Sequence, residues 1–235
     1  MKVIYEDNHL IIVYKEAGEI VQGDKTGDQP LSETVKLWIK DKYNKPGNVF
    51  LGIVHRLDRP VAGLVIFART SKALSRLNDM FRNGNIHKTY WAIVQQQPLK
   101  PEDTLTDWLI RNTQQNKSYA YNIPLPTAKK SVLHYKTINT SKHYTLLEIN
   151  LMTGRHHQIR CQLANMGCPI KGDLKYGAAR SNPDGSISLL SHKIEFIHPV
   201  SKKTIRIVSP IPNDNLWQAI NPHDEEEGVI VKDNV

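Results

Sequence analysis

Val54-His55-Arg56-Leu57-Asp58-Arg59-Pro60-Val61-Ala62-Gly63-Leu64-Val65-Ile66-Phe67-Ala68-Arg69-Thr70-Ser71 is the stretch from which the rest of the chain is read. Leu64 to Ala68 is a continuous apolar run of strand length, which predicts a buried strand. Thr70 and Ser71 are N-cap types, and Leu74, Leu77, Met80 and Phe81 follow on one helical face. Gly84 then supplies the stop at C′. Before the strand, Pro60 disfavours helix at Arg59, and Gly63 permits a close approach of backbone, so residues 55–61 read as a turn.

Outward from this segment, strand signals outnumber helix signals. Val3-Ile4-Tyr5 and Leu10–Tyr14 flank Glu-Asp-Asn-His as a hairpin, with a turn at Ala17-Gly18. Leu31, Val35, Trp38 and Ile39 predict a helix over 31–43. Further strands are predicted at 90–95, 128–138, 144–151, 187–197 and 204–208. A second helical pattern runs from Gly154 to Met166, between Thr153 and Gly167. The stretch 95–126, with Pro98, Pro101, Pro124 and Pro126, reads as an excursion from the sheet. The β-α-β alternation of a doubly wound fold is missing. The expected class is therefore α+β, a mostly antiparallel mixed β-sheet with flanking helices.

The chain has 235 residues, 40% hydrophobic and 23% charged, an ordinary globular composition. A mean hydropathy of −0.44 and a longest apolar run of a few residues argue against a membrane-spanning helix, which needs about 20. Glu6, Asp7, Asn8 and His9 interrupt the place where a secretory signal would be apolar. Two cysteines, Cys161 and Cys168, make no disulfide framework and suit a reducing cytoplasm. The net charge of +8 is unevenly placed: residues 213–235 hold six acids and one base, and residues 1–212 hold 30 bases against 17 acids, a net of +13. The expected organisation is thus a basic body, 1–212, with an acidic C-terminal tail, 213–235, mobile after Pro222. A basic body suits a polyanion, because neutralised phosphates release counterions.

Three segments could carry chemistry. In 54–64, one carboxylate, Asp58, lies between Arg56 and Arg59, a group suited to act as nucleophile or base; the alternative is an ion pair pinning a loop. In 152–163, Arg155, His156, His157 and Arg160 accompany a helix start, where an anion or Asp58 could be received; the alternative is a solvated basic face. In 87–94, His87-Lys88-Thr89-Tyr90-Trp91 interleaves bases and aromatics, as in sites that stack nucleobases; the alternative is core packing. No metal-ligand spacing, nucleotide-binding loop or dinucleotide fingerprint appears, so neither metal nor cofactor is expected.

Taken in order, these segments resemble the RluA-type pseudouridine synthase family. The resemblance rests on His55-Arg56-Leu57-Asp58 with Gly63-Leu64, Lys88-x-Tyr90-x-Ala92, Thr153-Gly154-Arg155-x-His157-Gln158-Ile159-Arg160, and Gly167-x-Pro169-Ile170-x-Gly172-Asp173-x-x-Tyr176-Gly177, and it spans about residues 1–210. It implies an enzyme that isomerises uridine in tRNA or rRNA to pseudouridine without a cofactor or metal. The base leaves its N1–C1′ bond, turns and is rejoined through C5. Asp58 takes the place of the family's catalytic aspartate and attacks either C1′ or C6. Tyr90 takes that of the tyrosine against the target base, and Arg160 that of the basic residue expected to pair with Asp58. Arg56 is implied in holding the flipped-out nucleotide, and His55, Arg155, His157 and Gln158 complete the expected substrate-binding set. The resemblance further implies a monomeric, stand-alone catalytic domain with no S4 domain. Departures are Glu16 where relatives often carry Pro, Ala62 where they carry Ser, and His156 where a small polar residue is common. A non-catalytic RNA-binding protein and a metal-dependent nuclease using Asp58, His55 and His157 are the competing classes.

Overall fold

The computed structural model describes residues 1–222 and 227–233. In chain order its first elements are β1 (Lys2–Glu6), β2 (Leu10–Lys15), α1 (Leu31–Lys42), β3 (Gly52–Ile53), β4 (Ala62–Ala68) and α2 (Ser71–Arg82). The strands β5 (Ile86–Val94), β6 (Glu102–Asn112), β7 (Lys117–Tyr121), β8 (Lys129–Thr140) and β9 (Thr145–Leu151) follow. Then come α3 (Gln158–Asn165), β10 (Leu189–Ile197), β11 (Thr204–Val208), α4 (Asn215–Ile220) and β12 (Gly228–Lys232). The chain divides into two compact units, residues 1–87, 191–210 and 226–235 in one, and 88–190 with 211–225 in the other. The basic body expected as one piece is shared between them.

In the first unit, β1 and β2 form the predicted hairpin, and β2 runs antiparallel to β4 from Leu10↔Ala68 to Lys15↔Gly63. β10 lies beside β4, and β11 and β12 continue the sheet antiparallel to it. The apolar face is continuous because Leu10, Ile12, Leu64 and Ile66 share it, and Ala73 and Leu77 of α2 pack on them with Ile194, Phe196, Ile205 and Ile207. Each such fully buried aliphatic side chain contributes about 1.5–3 kcal/mol. α2 has the ends its sequence predicts. Thr70 Oγ1 accepts from Ala73 N at 3.1 Å. Gly84, at φ +74°, turns the chain so that Asn85 N bonds Met80 O at 2.9 Å.

The second unit holds the antiparallel order β5-β9-β8-β6-β7. Its core near α3 joins Leu109, Cys161 and Tyr176 with Ala120 and Ala164. The stretch 95–126 is not an excursion: it supplies β6 and β7, and β6 pairs with β8 over eight positions from Glu102↔Lys136 to Leu109↔Lys129. Its prolines, at 98, 101, 124 and 126, all lie outside the paired residues, and the exposed side of β6 is polar, which hid the strand from an apolar search. The C-terminal segment holds regular structure on both sides of Pro222. Asp214 Oδ1 accepts from Leu216 N and Trp217 N to cap α4, Trp217 and Ile220 are buried, and β12 pairs with β11. Net charge concealed these short apolar elements. The acidic residues Asp224, Glu225 and Glu226 lie outside the described residues.

Gly63 carries the tightest backbone approach, as its place after the 55–61 turn led us to expect. Its φ is +120°, and a Cβ there would lie 2.6 Å from Ser191 N and 2.8 Å from Ser191 Cα in β10. Both backbone strain and overlap oppose any side chain. Gly63→Ala is expected to destabilise the protein by about 3–5 kcal/mol, read as a lowered urea midpoint at unchanged m-value; an unaltered midpoint would contradict this packing.

Candidate active site

Asp58 sits half-buried in the loop between β3 and β4, and the loop's backbone is held from beneath. Lys15 ends β2 as the sixth buried residue of that strand and has no exposed surface. Its Nζ donates to Val61 O at 2.6 Å, Glu16 O at 3.0 Å and Arg59 O at 3.1 Å. Gly18 N also donates to Arg59 O at 2.8 Å, and Val61 N to Asp58 O at 3.0 Å. One ammonium thus takes two carbonyls of the turn that follows Asp58. Burial pulls the Lys15 pKa down to about 8, partly opposed by the charges of Glu19 and Asp58.

The neighbours of Asp58 are arranged differently from the expected three-charge cluster. Arg59 turns to the 24–28 loop, where NH1 donates to Asp28 Oδ2 at 2.6 Å and NH2 to Thr26 Oγ1 at 2.9 Å. That guanidinium holds the Asp28 carboxyl below its ordinary value. Arg56 is exposed, with NH1 donating to Gln22 Oε1 at 3.3 Å. His55 Nε2 accepts from Ile66 N at 2.9 Å and its ring stacks on Phe81 at 4.9 Å. His55 therefore anchors the loop to β4 and α2 within this unit.

Tyr90 and Arg160 belong to the second unit. Tyr90 is buried in β5 opposite Ile149 of β9. The segment leading to α3 is not helical from Gly154, as its spacing predicted; the helix starts at Gln158. Gln158 Oε1 accepts from Thr153 Oγ1 at 2.8 Å and Arg155 N at 3.0 Å, while its Nε2 donates to Val132 O at 3.1 Å. These bonds fix 153–157 as a loop on β8, and His157 enters the helix in the left-handed region at φ +52°. A side chain that satisfies the loop's own donors competes with helical bonding there.

Arg160 is almost fully buried and held on several sides. Its Nε donates to Asp173 Oδ2 at 2.7 Å and NH2 to Asp173 Oδ1 at 2.9 Å, a bidentate fork, with the guanidinium carbon 5.1 Å from the Tyr176 ring centre. NH1 faces His157 Nε2 at 3.2 Å, which makes that nitrogen the acceptor and places the ring proton on Nδ1, 3.0 Å from Tyr176 OH. His157 and Gln158 are thus supports of Arg160 and its loop, with their polar atoms taken up by protein. Arg155 remains exposed.

Sequence reading missed three residues that build these arrangements. Lys15 was legible as a charge closing a strand of otherwise apolar residues. Asp173 and Tyr176 stood in a glycine-punctuated loop without any sign that they would clasp Arg160. Cys161 and Cys168 are free, buried thiols, and burial pushes Cys161 up to about 12. Among the described residues no group of three or more His, Cys, Asp or Glu side chains could hold a metal ion, and no helix is long and apolar enough to cross a membrane.

Lys15→Met leaves the Val61 and Arg59 carbonyls short of a donor and is expected to cost about 1–3 kcal/mol at pH 7. The pH dependence has a definite sign. Lys15 binds its proton less tightly folded, near 8, than unfolded, near 10.4, so between those values the unfolded chain holds more protons. Wild-type stability gains there as pH rises, and the gap to Lys15→Met should widen by about 2 kcal/mol from pH 8 to pH 10 in urea titrations. A constant gap would contradict the burial of a charged Lys15. Asp173→Asn takes the two-point carboxylate fork from the buried Arg160, at an expected cost of about 3–5 kcal/mol in the same measurement.

Comparison with known proteins places these residues in one context. The family model described as RNA pseudouridylate synthase matches residues 9–165, a segment that contains Asp58, Tyr90 and Arg160. The chain is 29% identical over 227 residues to ribosomal large subunit pseudouridine synthase D of Xylella fastidiosa and 30% identical over the same length to the protein of that name from Xanthomonas campestris. Each alignment covers 91% of this chain and 67% of the relative. Among solved structures, human RNA pseudouridylate synthase domain containing 4 superposes with a TM-score of 0.78 at 19% identity, covering 92% of this chain and 90% of that one, a likeness of fold. With the family model matched over two thirds of its length, the chain belongs to the RNA pseudouridylate synthase family.

Proposed function

We propose that this RNA pseudouridine synthase uses Asp58 as its catalytic nucleophile on a uridine turned out of the RNA. The observation that carries this reading is the anchoring of the Asp58 loop: a buried ammonium and the His55 ring fix the backbone on both sides of one half-buried carboxylate inside the matched family segment. Extruding the nucleotide costs a few kcal/mol, which phosphate contacts of the basic body offset. Asp58 then adds to C1′ or to C6 and the N1–C1′ bond breaks; the turned base forms the C5–C1′ bond, the bond to Asp58 breaks with its electron pair returning to the carboxylate, and C5 gives up its proton as N1 gains one. Tyr90 presents its ring to the base. Arg160, immobilised by Asp173, supplies a fixed guanidinium, and Arg56 and Arg155 hold the RNA.

The substrate is ribosomal or transfer RNA, with large-subunit ribosomal RNA the first to test because the relatives bear that name. The enzyme works as a monomer in the cytoplasm, where ribosomes and tRNA are found. Asp58→Asn removes the nucleophile with little change of shape. It is expected to bring pseudouridine formation in ribosomal RNA and tRNA, read by nucleoside mass spectrometry, down to background, with RNA affinity retained. Full turnover by this variant would disprove the assignment.

A further inference from the structure

The second unit contains a cleft of which the family motifs account for only one wall, Gly154 and Arg155, and to which they assign neither Arg111 nor Lys129. It has a volume of about 390 Å³, within the range of sites that take small organic ligands. The sheet register explains its lining. Leu109 and Arg111 lie two apart on β6 and so share a face, with Lys129 of β8 opposite Leu109 and Ser118 of β7 opposite Arg111. The remaining wall is Gly154-Arg155-His156, the loop that leads into α3. Arg111, Lys129 and Arg155 are all exposed, and no carboxylate is among the lining residues.

The wall is built rather than incidental. Ser118 Oγ donates to His156 O at 2.7 Å and lies 2.9 Å from His156 Nδ1, while Nε2 faces Asn116 Oδ1 at 3.1 Å. The His156 ring in turn stacks on His157 at 3.8 Å, whose Nε2 faces Arg160. A cationic cleft lined in part by Leu109 and Ile110 is thereby joined, through two stacked rings, to the Arg160 guanidinium.

From this arrangement we infer that the cleft binds the sugar-phosphate backbone of the substrate RNA at a nucleotide outside the target uridine, with Arg111 and Lys129 as its phosphate contacts. The inference rests on the pseudouridine synthase reading for the identity of the strand. An acidic peptide would satisfy the same cations but has no use for a site beside the loop that leads to Arg160.

The test compares wild type, Arg111→Ala/Lys129→Ala, and Lys72→Ala/Arg82→Ala, which removes the same charge from α2 in the first unit. Binding of a fluorescent 12-nucleotide oligouridylate is followed by anisotropy from 0.05 to 0.3 M KCl. The cleft variant should bind at least about tenfold more weakly at 0.1 M, with a log K against log salt slope shallower by about 1.4, two single-strand phosphate contacts. Arg111→Lys/Lys129→Arg should restore that slope, and thermal melting confirms that each variant is folded. The same loss in the α2 variant, an unchanged slope in the cleft variant, no salt-dependent binding by wild type, or displacement by polyglutamate as readily as by polyuridylate would overturn the inference. Pseudouridine formation by wild type in ribosomal RNA is assayed alongside. Its absence would overturn the enzymatic reading, while the anisotropy comparison still decides whether the cleft takes an RNA strand.

Discussion

An ammonium group without water must find oxygen, and at Lys15 the oxygens are main-chain carbonyls of Glu16, Arg59 and Val61. Stripping the charge of solvent is expensive, so the carbonyls cannot drift without exposing that cost again. The loop bearing Asp58 is therefore fixed at the level of its backbone, and the His55 ring adds an anchor from within the loop. The strand register makes this possible: Lys15 lies opposite Gly63, and Gly63 lets β10 close against the same point. Arg56 and Arg59, sent outward to Gln22 and to the 24–28 loop, are left for surface tasks.

The second unit solves a related problem with the opposite charge. Arg160 is held by a two-point fork from Asp173, backed by the Tyr176 ring and the His157 nitrogen. Such a buried pair adds little net stability, since both ions lose their hydration; its return is a guanidinium with one orientation. A reaction that must wait for a base to turn and reattach benefits from charges that do not move meanwhile.

Local signals in the sequence were faithful where one short segment determines its own structure. The Thr70 cap, the Gly84 stop, the apolar run of β4 and the close approach at Gly63 were all legible. The reading failed where distant groups decide. Gln158 delays the start of α3 because Thr153, Arg155 and Val132 offer its amide better partners than a helical turn does. β6 went unseen because Glu102, Thr104 and Thr106 face water and Asp107, on the inward side, is itself polar. The ordered family motifs made Asp58, Tyr90 and Arg160 visible as candidates. The supports beneath them, Lys15, Asp173 and Tyr176, depend on contacts that no linear spacing encodes, and the supporting parts played by His55, His157 and Gln158 emerged only from their hydrogen bonds.

The first unit is discontinuous: β4 at 62–68 has β10 for a neighbour, and the whole of 88–190 lies between them in the chain. On the ribosome, the strand next to Asp58 must wait, one edge paired only with β3 at Phe67 and Ala68, until more than a hundred further residues have been made. The second unit can assemble most of its own sheet in that interval, because β5 to β9 are contiguous. Folding thus proceeds from the inside of the sequence outward, and closure of the Asp58 strand is a late, long-range step of the kind that is slow and exposed to misassociation. During synthesis the carboxylate we propose as nucleophile is among the last groups to acquire its finished surroundings.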